Sequence, residues 1–165
     1  MWIYLLRHGV AADAEPGQAD ADRALTEEGW KRLRRAAPAW RRLVPPPDAV
    51  CVSPLRRAQE TAQVFVEAVR WKGELRVEPD LVPGAAASVL LRWLEGESLA
   101  GTGAIALVGH EPHLGYLLGA LLTGHPRQPI PLKKGMLVAV ETPATTSLTA
   151  ELRFVLSSKA AGELA

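Results

Sequence analysis

The stretch MWIYLLRHG, residues 1–9, decides how the fold begins. Residues 1–7 form a short apolar and aromatic run, which is typical of a strand in the core of a sheet. The run leads directly into an arginine, a histidine and a glycine. A strand that served only the core would have no reason to end on these groups, so Arg7 and His8 are candidate functional residues.

Strand and helix patterns alternate along the rest of the chain. Further strands are predicted in AVCVS, in ELRVEPDLV (short), in AIALVGH, and in a terminal pair, GMLVAVET and LTAELRFVLS, for which an antiparallel arrangement is left open. Helices are predicted in LTEEGWKRLRRAAPAWRRL, LRRAQETAQVFVEAV, ASVLLRWLEG and EPHLGYLLGALL. This alternation predicts a three-layer α/β/α sandwich with a mostly parallel central sheet, as a single domain over residues 1–165.

Local signals predict where two helices begin and how one ends. Thr26 is an expected N-cap, and Pro38 should bend or break the last turns of its helix. Ser53 followed by Pro54 predicts a second helix start, with the serine as cap and the proline in the first turn. Residues 10–24 contain one proline, one glycine and several alanines and aspartates, and they predict a long loop of the kind that often carries function.

Composition excludes several classes of protein. The chain has 165 residues, 48% apolar and 22% charged, which is typical of a soluble globular domain. Its net charge of +1 predicts no general attraction to nucleic acid or to anionic membranes. One cysteine, Cys51, cannot form an internal disulfide and disfavours structural zinc. Without an export signal or an apolar run of membrane-spanning length, we expect a cytoplasmic protein.

Polar side chains collect where predicted strands end. Arg7 and His8 follow the first strand, Arg56 and Arg57 lie just after the second, and His110 ends the fourth. In open α/β sheets, ligands bind outside the carboxyl ends of the strands. Adjacent residues on a helix point about 100° apart, so only one of the two neighbouring arginines should face the site. We therefore expect two imidazoles and at least two guanidinium groups in one pocket.

These groups are suited to phosphate. Guanidinium forks match phosphate oxygens and stay charged, and a neutral imidazole can act as a nucleophile. The sequence has no phosphate-binding loop of the GxxxxGK[ST] or GxGxxG kind and no HExxH motif. The chemistry predicted from the residues is phosphoryl transfer to a histidine nitrogen, with no metal and no cofactor.

Three segments, LLRHG, SPLRRAQETA and VGHEP, resemble in type and order the signatures of the histidine phosphatase superfamily. The resemblance covers nearly the whole chain and implies the phosphoglycerate-mutase-like fold. The opening RHGVA, the segment DRALTEEG and the small size are most similar to the SixA-type phosphohistidine phosphatases within that superfamily.

The resemblance implies a role for each matching residue. His8 would be the nucleophile that becomes phosphorylated, and Arg7 and Arg57 would hold the phosphate oxygens. His110 would donate a hydrogen bond to the transferring group. The surrounding cations should lower the pKa of His8 and keep it neutral for attack.

Two further residues are implied at the substrate site. Arg23, from DRALT, is a candidate contact to the same phosphate. Gly9 would let the chain turn beside the anion without a crowding side chain.

One departure from the family pattern bears on the substrate. Many members carry a glutamate after the third strand as general acid, and Pro83 stands in that place here. Asp80 and Glu111 are the candidate substitutes. Without an acid, an alkoxide is hard to expel, whereas an imidazole with a pKa near about 6.5 leaves readily. The departure favours a phosphohistidine on a protein as substrate.

Two alternatives remain open at this stage. One is a broad-specificity phosphatase of small phosphate esters, and the other is a binding module that retains the phosphate cradle without catalysis. Phosphate or another oxyanion would occupy the site in each case, and neither nucleic acid nor membrane is an expected partner.

Overall fold

One six-stranded sheet organises the protein. The computed structural model describes residues 1–125, 127–143 and 149–164. The strands are β1 (Trp2–Arg7), β2 (Ala49–Val52), β3 (Arg76–Val77), β4 (Ala104–Gly109), β5 (Leu137–Glu141) and β6 (Glu151–Leu156). Their spatial order is β3-β2-β4-β1-β5-β6.

The sheet is mostly parallel, as predicted. Strands β3, β2, β4 and β1 pair in parallel, so their carboxyl ends lie along one edge. Strand β5 runs antiparallel to β1, and β6 runs antiparallel to β5. The antiparallel arrangement left open for the terminal strand pair is thereby established.

Helices cover both faces of the sheet. They are α1 (Glu27–Leu43), α2 (Arg56–Ala68), α3 (Ala87–Leu99), α4 (His113–Thr123) and α5 (Ser158–Glu163). Residues of α1, α2 and α5 share one buried apolar cluster, and residues of α3 and α4 share another. None of these helices, over the residues described, combines the length and apolar character needed to cross a membrane.

Strand β1 explains why the sheet has two cores. Its side chains alternate between the faces: Tyr4 and Leu6 pack with α1 and α2, whereas Ile3 and Leu5 pack with α3 and α4. All four are almost fully buried. A strand buried on both faces must be apolar throughout, which accounts for the run at the start of the sequence.

Helix α1 begins as predicted and ends differently. The Thr26 hydroxyl accepts a hydrogen bond from the Gly29 amide over 3.0 Å. The helix continues through Pro38 to Leu43, so the expected break does not occur. Ala39 and Trp40, immediately beyond the proline, are buried in the core. Their burial outweighs the hydrogen bond that the proline removes.

The predicted start of α2 was wrong by two residues. The helix begins at Arg56, and the position before it, Leu55, makes no side-chain cap. The Ser53 hydroxyl accepts a bond from the Leu55 amide over 3.3 Å but lies beside His110, not at the helix end. Helix α5, which the sequence analysis missed, begins after a Ser157 cap.

Candidate active site

Parallel pairing aligns the ends of three strands. In the β1–β4 ladder Arg7 pairs with Gly109, so His8 and His110 are the next residues of neighbouring strands. The His8 amide donates to the Gly109 carbonyl over 3.0 Å. The two imidazole centroids are 4.9 Å apart, with the rings inclined at 50°. The amide of Ser53, at the end of β2, also bonds to β4.

A backbone contact fixes the proton on His8. Its Nδ1 lies 2.7 Å from the carbonyl oxygen of Gly9. A carbonyl can only accept, so Nδ1 carries the hydrogen and Nε2 of the neutral ring keeps its lone pair. Nε2 is therefore the ring nitrogen of His8 with a free lone pair.

Helix α2 supports the turn after His8. The Gly9 amide donates to the Thr61 hydroxyl over 3.1 Å, and that hydroxyl donates to the carbonyl of Arg57 over 2.7 Å. A Cβ added at Gly9 would lie 2.9 Å from Leu33 on α1. The glycine thus permits close packing on α1 as well as the placement of His8.

The two predicted phosphate-binding arginines are anchored on different sides of the site. Arg7 donates through Nη1 to the Leu132 carbonyl over 2.6 Å. Arg57 donates through Nη1 and Nη2 to the carbonyl oxygen and the carboxylate of Asp20, over 2.7 and 2.9 Å. The side chain of Arg57 is only 5% exposed, whereas that of Arg56 is 59% exposed. As expected, one arginine of the pair faces inward.

Asp20 joins the long loop to the site. Its carboxylate bridges Arg57 and Arg23, with the Arg23 contact at 2.8 Å. Arg23 also donates through Nε to the Ala12 carbonyl over 2.7 Å. Hydrogen bonds from Arg23 and then Arg57 hold the pKa of Asp20 below its usual range. Arg23 therefore lies beside the site, because it shares the Asp20 carboxylate with Arg57.

One ring nitrogen of His110 has a hydrogen-bond partner among the described residues, and the other has none. Its Nε2 lies 2.8 Å from the Ser53 hydroxyl oxygen. Its Nδ1 is buried and has no hydrogen-bond partner within the described part of the chain, and the same holds for Nε of Arg7. Buried donors without partners are rare in proteins. Each of these two atoms is therefore a candidate contact for a ligand.

Burial keeps both histidines neutral. It is the largest cause that lowers the pKa of His8 to about 4, with Arg57, Arg7 and Lys134 lowering it further and the bond to Gly9 opposing them. Burial and then the neighbouring His8 lower the pKa of His110 to about 3. The expected effect of the cations on His8 is present, but desolvation exceeds it. Both imidazoles carry lone pairs at neutral pH.

Comparison with known proteins agrees with this geometry. The model of the histidine phosphatase superfamily (branch 1) matches residues 3–82 of the chain. An uncharacterised protein of Picosynechococcus sp. (strain ATCC 27264 / PCC 7002 / PR-6) is 32% identical over 148 residues, 87% of each chain. The chain belongs to the histidine phosphatase superfamily.

SixA phosphatases are among the similar proteins. Phosphohistidine phosphatase SixA of Escherichia coli (strain K12) is 28% identical over 125 residues, which cover 75% of this chain and 76% of that protein. The structure of a protein histidine phosphatase SixA complexed with tungstate has a TM-score of 0.85 and 24% identity, and the match covers 96% of this chain and 98% of that one. The fold of this histidine phosphatase is thereby the phosphoglycerate-mutase-like fold that the signatures implied.

The two candidate acids of this histidine phosphatase have different surroundings. The Glu111 carboxylate accepts from the Leu132 amide over 3.0 Å, and burial raises its pKa. Asp80 lies in the short 3-10 turn Pro79–Leu81, where its charge acts on His113. Neither carboxylate contributes to the pKa shift of His8 or of His110.

Sequence reasoning missed the contacts of three residues that shape the site of this histidine phosphatase. These are Asp20, Ser53 and Thr61. Thr61 belongs to the SPLRRAQETA segment, so its position there was a usable signal. Asp20 lies in a loop rich in alanine and aspartate, where nothing distinguishes it from Asp13 or Asp22. In the described ranges, His, Cys, Asp and Glu form no group of three or more that could hold a metal ion.

Proposed function

We propose that this histidine phosphatase hydrolyses phosphohistidine on a protein, through a covalent phosphohistidine at His8. The observation that carries the proposal is the fixed ring of His8: the Gly9 carbonyl holds the hydrogen on Nδ1, which leaves the Nε2 lone pair for attack. The charges of Arg57, which is buried, and of Arg7, which is half-buried, both lower the pKa of this ring. The similarity to SixA in sequence, and to a SixA structure complexed with tungstate, supports the same assignment.

The first step transfers the phosphoryl group to the enzyme. The Nε2 lone pair of His8 forms a bond to phosphorus while the P–N bond of the substrate breaks, and the substrate imidazole takes that electron pair. If the substrate ring carries a proton on its other nitrogen, it leaves neutral. Arg7 and Arg57 neutralise the charge on the phosphoryl oxygens during the transfer.

The second step releases phosphate. Phosphorylated at Nε2 and protonated at Nδ1, the His8 ring is a cation, and the Gly9 carbonyl stabilises it by accepting the Nδ1 hydrogen bond. Water then attacks phosphorus in line, and the bond to Nε2 breaks. The ring regains its lone pair as a neutral imidazole, and the protons of the water leave with the phosphate.

The positions of the carboxylates favour this substrate class. Neither step above needs a group that protonates the leaving atom, because both leaving groups are neutral imidazoles. An alkyl ester would need an acid for its alkoxide. Glu111 is held by the Leu132 amide, and Asp80 lies beside His113.

A substrate panel tests the proposal. We expect release of phosphate from a phosphohistidyl protein at a rate at least about 100-fold above that from sugar phosphates, nucleotides and glycerol phosphate, because removing an acid from ester cleavage costs about 10²–10⁴. His8→Ala should abolish the activity. His125→Ala, which changes an exposed histidine outside the site, is the matched control and should leave it intact.

A quench under alkaline conditions, where phosphohistidine survives, should trap labelled phosphate on the wild type and not on His8→Ala. Faster turnover of an alkyl ester would instead favour a small-molecule phosphatase. Tight binding of phosphate without turnover of any substrate would favour the non-catalytic module. Activity retained by His8→Ala would overturn the mechanism itself.

A further inference from the structure

We infer that Ser53 is a positioning residue whose hydroxyl donates to Nε2 of His110, which keeps the hydrogen of that ring on Nδ1 and directs it at the phosphoryl group. The inference rests on the proposed function and extends it by naming the residue that makes His110 Nδ1 a hydrogen-bond donor. Ser53 itself makes no contact with the reacting atoms in this scheme.

The contact is short and shielded from water. Ser53 Oγ and His110 Nε2 are 2.8 Å apart, and the two residues are 0% and 1% exposed. Both are placed by backbone pairing, since the Ser53 amide donates to the Val108 carbonyl of β4 over 3.0 Å. The hydroxyl and the imidazole therefore meet because β2 and β4 are neighbours.

Counting hydrogen-bonding groups favours one direction for this bond. The Ser53 oxygen already accepts from the Leu55 amide, and the described residues offer its hydrogen no acceptor except His110 Nε2. If Nε2 carried the hydrogen, the buried hydroxyl hydrogen and the Nδ1 lone pair would both lack partners. With the hydrogen on Nδ1, that N–H group alone lacks a hydrogen-bond partner among the described residues. Because each additional unpaired buried group destabilises the fold, the arrangement with the hydrogen on Nδ1 is favoured.

The remaining N–H group is the one that substrate needs. With Nε2 taken by Ser53, Nδ1 is the ring nitrogen left to meet an oxyanion, and it must be a donor to bind one. The opposite tautomer would direct a lone pair at negative charge. The serine hydroxyl thus converts a ring that could donate or accept into a fixed donor, before substrate arrives.

The tautomer can be measured directly on the wild-type protein. In two-bond ¹H–¹⁵N spectra at pH 7, we expect His110 to show a protonated Nδ1 and an unprotonated Nε2. His110→Asn identifies its signals among the four histidines. A hydrogen on Nε2 in the wild type would overturn the inference.

Removing the hydroxyl should change the tautomer and the activity together. In Ser53→Ala we expect His110 to shift towards the Nε2–H tautomer, which free imidazole side chains favour, and kcat/KM to fall about 10- to 100-fold, the range for losing a hydrogen bond to a charged group. Ser98→Ala removes another buried hydroxyl, on α3, and should alter neither. An unchanged tautomer and unchanged activity in Ser53→Ala would contradict the role of Ser53.

Tungstate separates this inference from the proposed function. Its dissociation constant should rise about 10- to 100-fold in Ser53→Ala, since the anion loses the same donor. That rise, together with the wild-type tautomer, would support the role of Ser53 even if no phosphohistidyl protein were a substrate. An unchanged dissociation constant would refute it even if phosphohistidine turnover were confirmed.

Discussion

Two groups of cations in this protein have the same chemistry and different surroundings. One is the pair at the site, Arg7 and Arg57. The other is the outer face of α1, which carries exposed side chains along its length: Lys31, Arg32, Arg34, Arg35, Arg41 and Arg42. The outer face has three times as many charges. At the site, by contrast, Arg7 has a buried Nε without a partner among the described residues, and both arginines act on a buried histidine.

Under the proposed function, the difference indicates that burial, more than the number of charges, distinguishes the site that binds phosphate. On α1, Arg32 pairs with Glu28 in water and Arg34 lies 5.1 Å from the ring centre of Trp30. Solvent screens such charges, so they act weakly on any ligand. At the site, low solvent access strengthens each interaction with an anion.

The largest effect expected from this comparison separates two adjacent arginines. Arg57→Ala should lower kcat/KM about 10²- to 10³-fold, because a preorganised donor to the phosphoryl oxygens is lost. Arg56→Ala should lower it no more than about twofold, since that side chain is exposed and pairs with Glu60. Steady-state kinetics on both variants, with circular dichroism to check folding, tests this. Equal losses would mean that burial does not distinguish them.

The pH dependence of stability should report the buried imidazole. The pKa of His8 is about 4 in the folded protein and about 6.5 when unfolded, so the unfolded state binds more protons between these values. His8 should therefore destabilise the fold as pH falls from about 6.5 to about 4, by about 1 kcal/mol per pH unit. Denaturant unfolding at several pH values measures it.

His8→Asn is the comparison for this titration. Within the same window it should lose free energy of unfolding less steeply than the wild type, because it lacks the titrating ring. His125→Asn, at an exposed position, should follow the wild type. Parallel slopes for His8→Asn and the wild type would show that His8 titrates normally.

The Asp20 bridge should have a smaller effect. Its carboxylate orients Arg57 but is 58% exposed, so solvent weakens the ion pair. We expect Asp20→Asn to lower kcat/KM about two- to fivefold, as for the loss of up to about 1 kcal/mol. Asp22→Asn in the same turn is the control. An increase in activity would instead indicate that Asp20 competes with phosphate for Arg57.

The smallest effects belong to the outer face of α1. Arg34→Ala and Arg41→Ala should each leave kcat/KM within about twofold and change the free energy of unfolding by no more than about 0.5 kcal/mol. Kinetics and urea unfolding check both. A loss of activity confined to protein substrates would show that this face binds the phosphorylated partner, which would remove the contrast between the two groups of cations.

Much of the fold and several residues of the candidate site could be predicted because the signals are local. An apolar run that ends in Arg7 and His8 predicts both a strand and a pair of candidate functional side chains at its carboxyl end. The contacts of Asp20 and Ser53 could not be predicted, since each partner lies far away in the sequence. The predicted break at Pro38 was wrong for the same reason. The helix continues because Trp40 is buried, and that burial depends on tertiary packing that local rules do not include.

The amino-acid sequence alone determined the types of side chain that end each strand, and the alternation of strands and helices behind them. Only the tertiary structure decided which nitrogen of each imidazole is free, which arginine is buried, and which carboxylate bridges the loop to the site. Residue type sets what a group can donate or accept. Where its hydrogen lies and how strongly water screens its charge depend on neighbours brought together by the pairing of β1, β2 and β4.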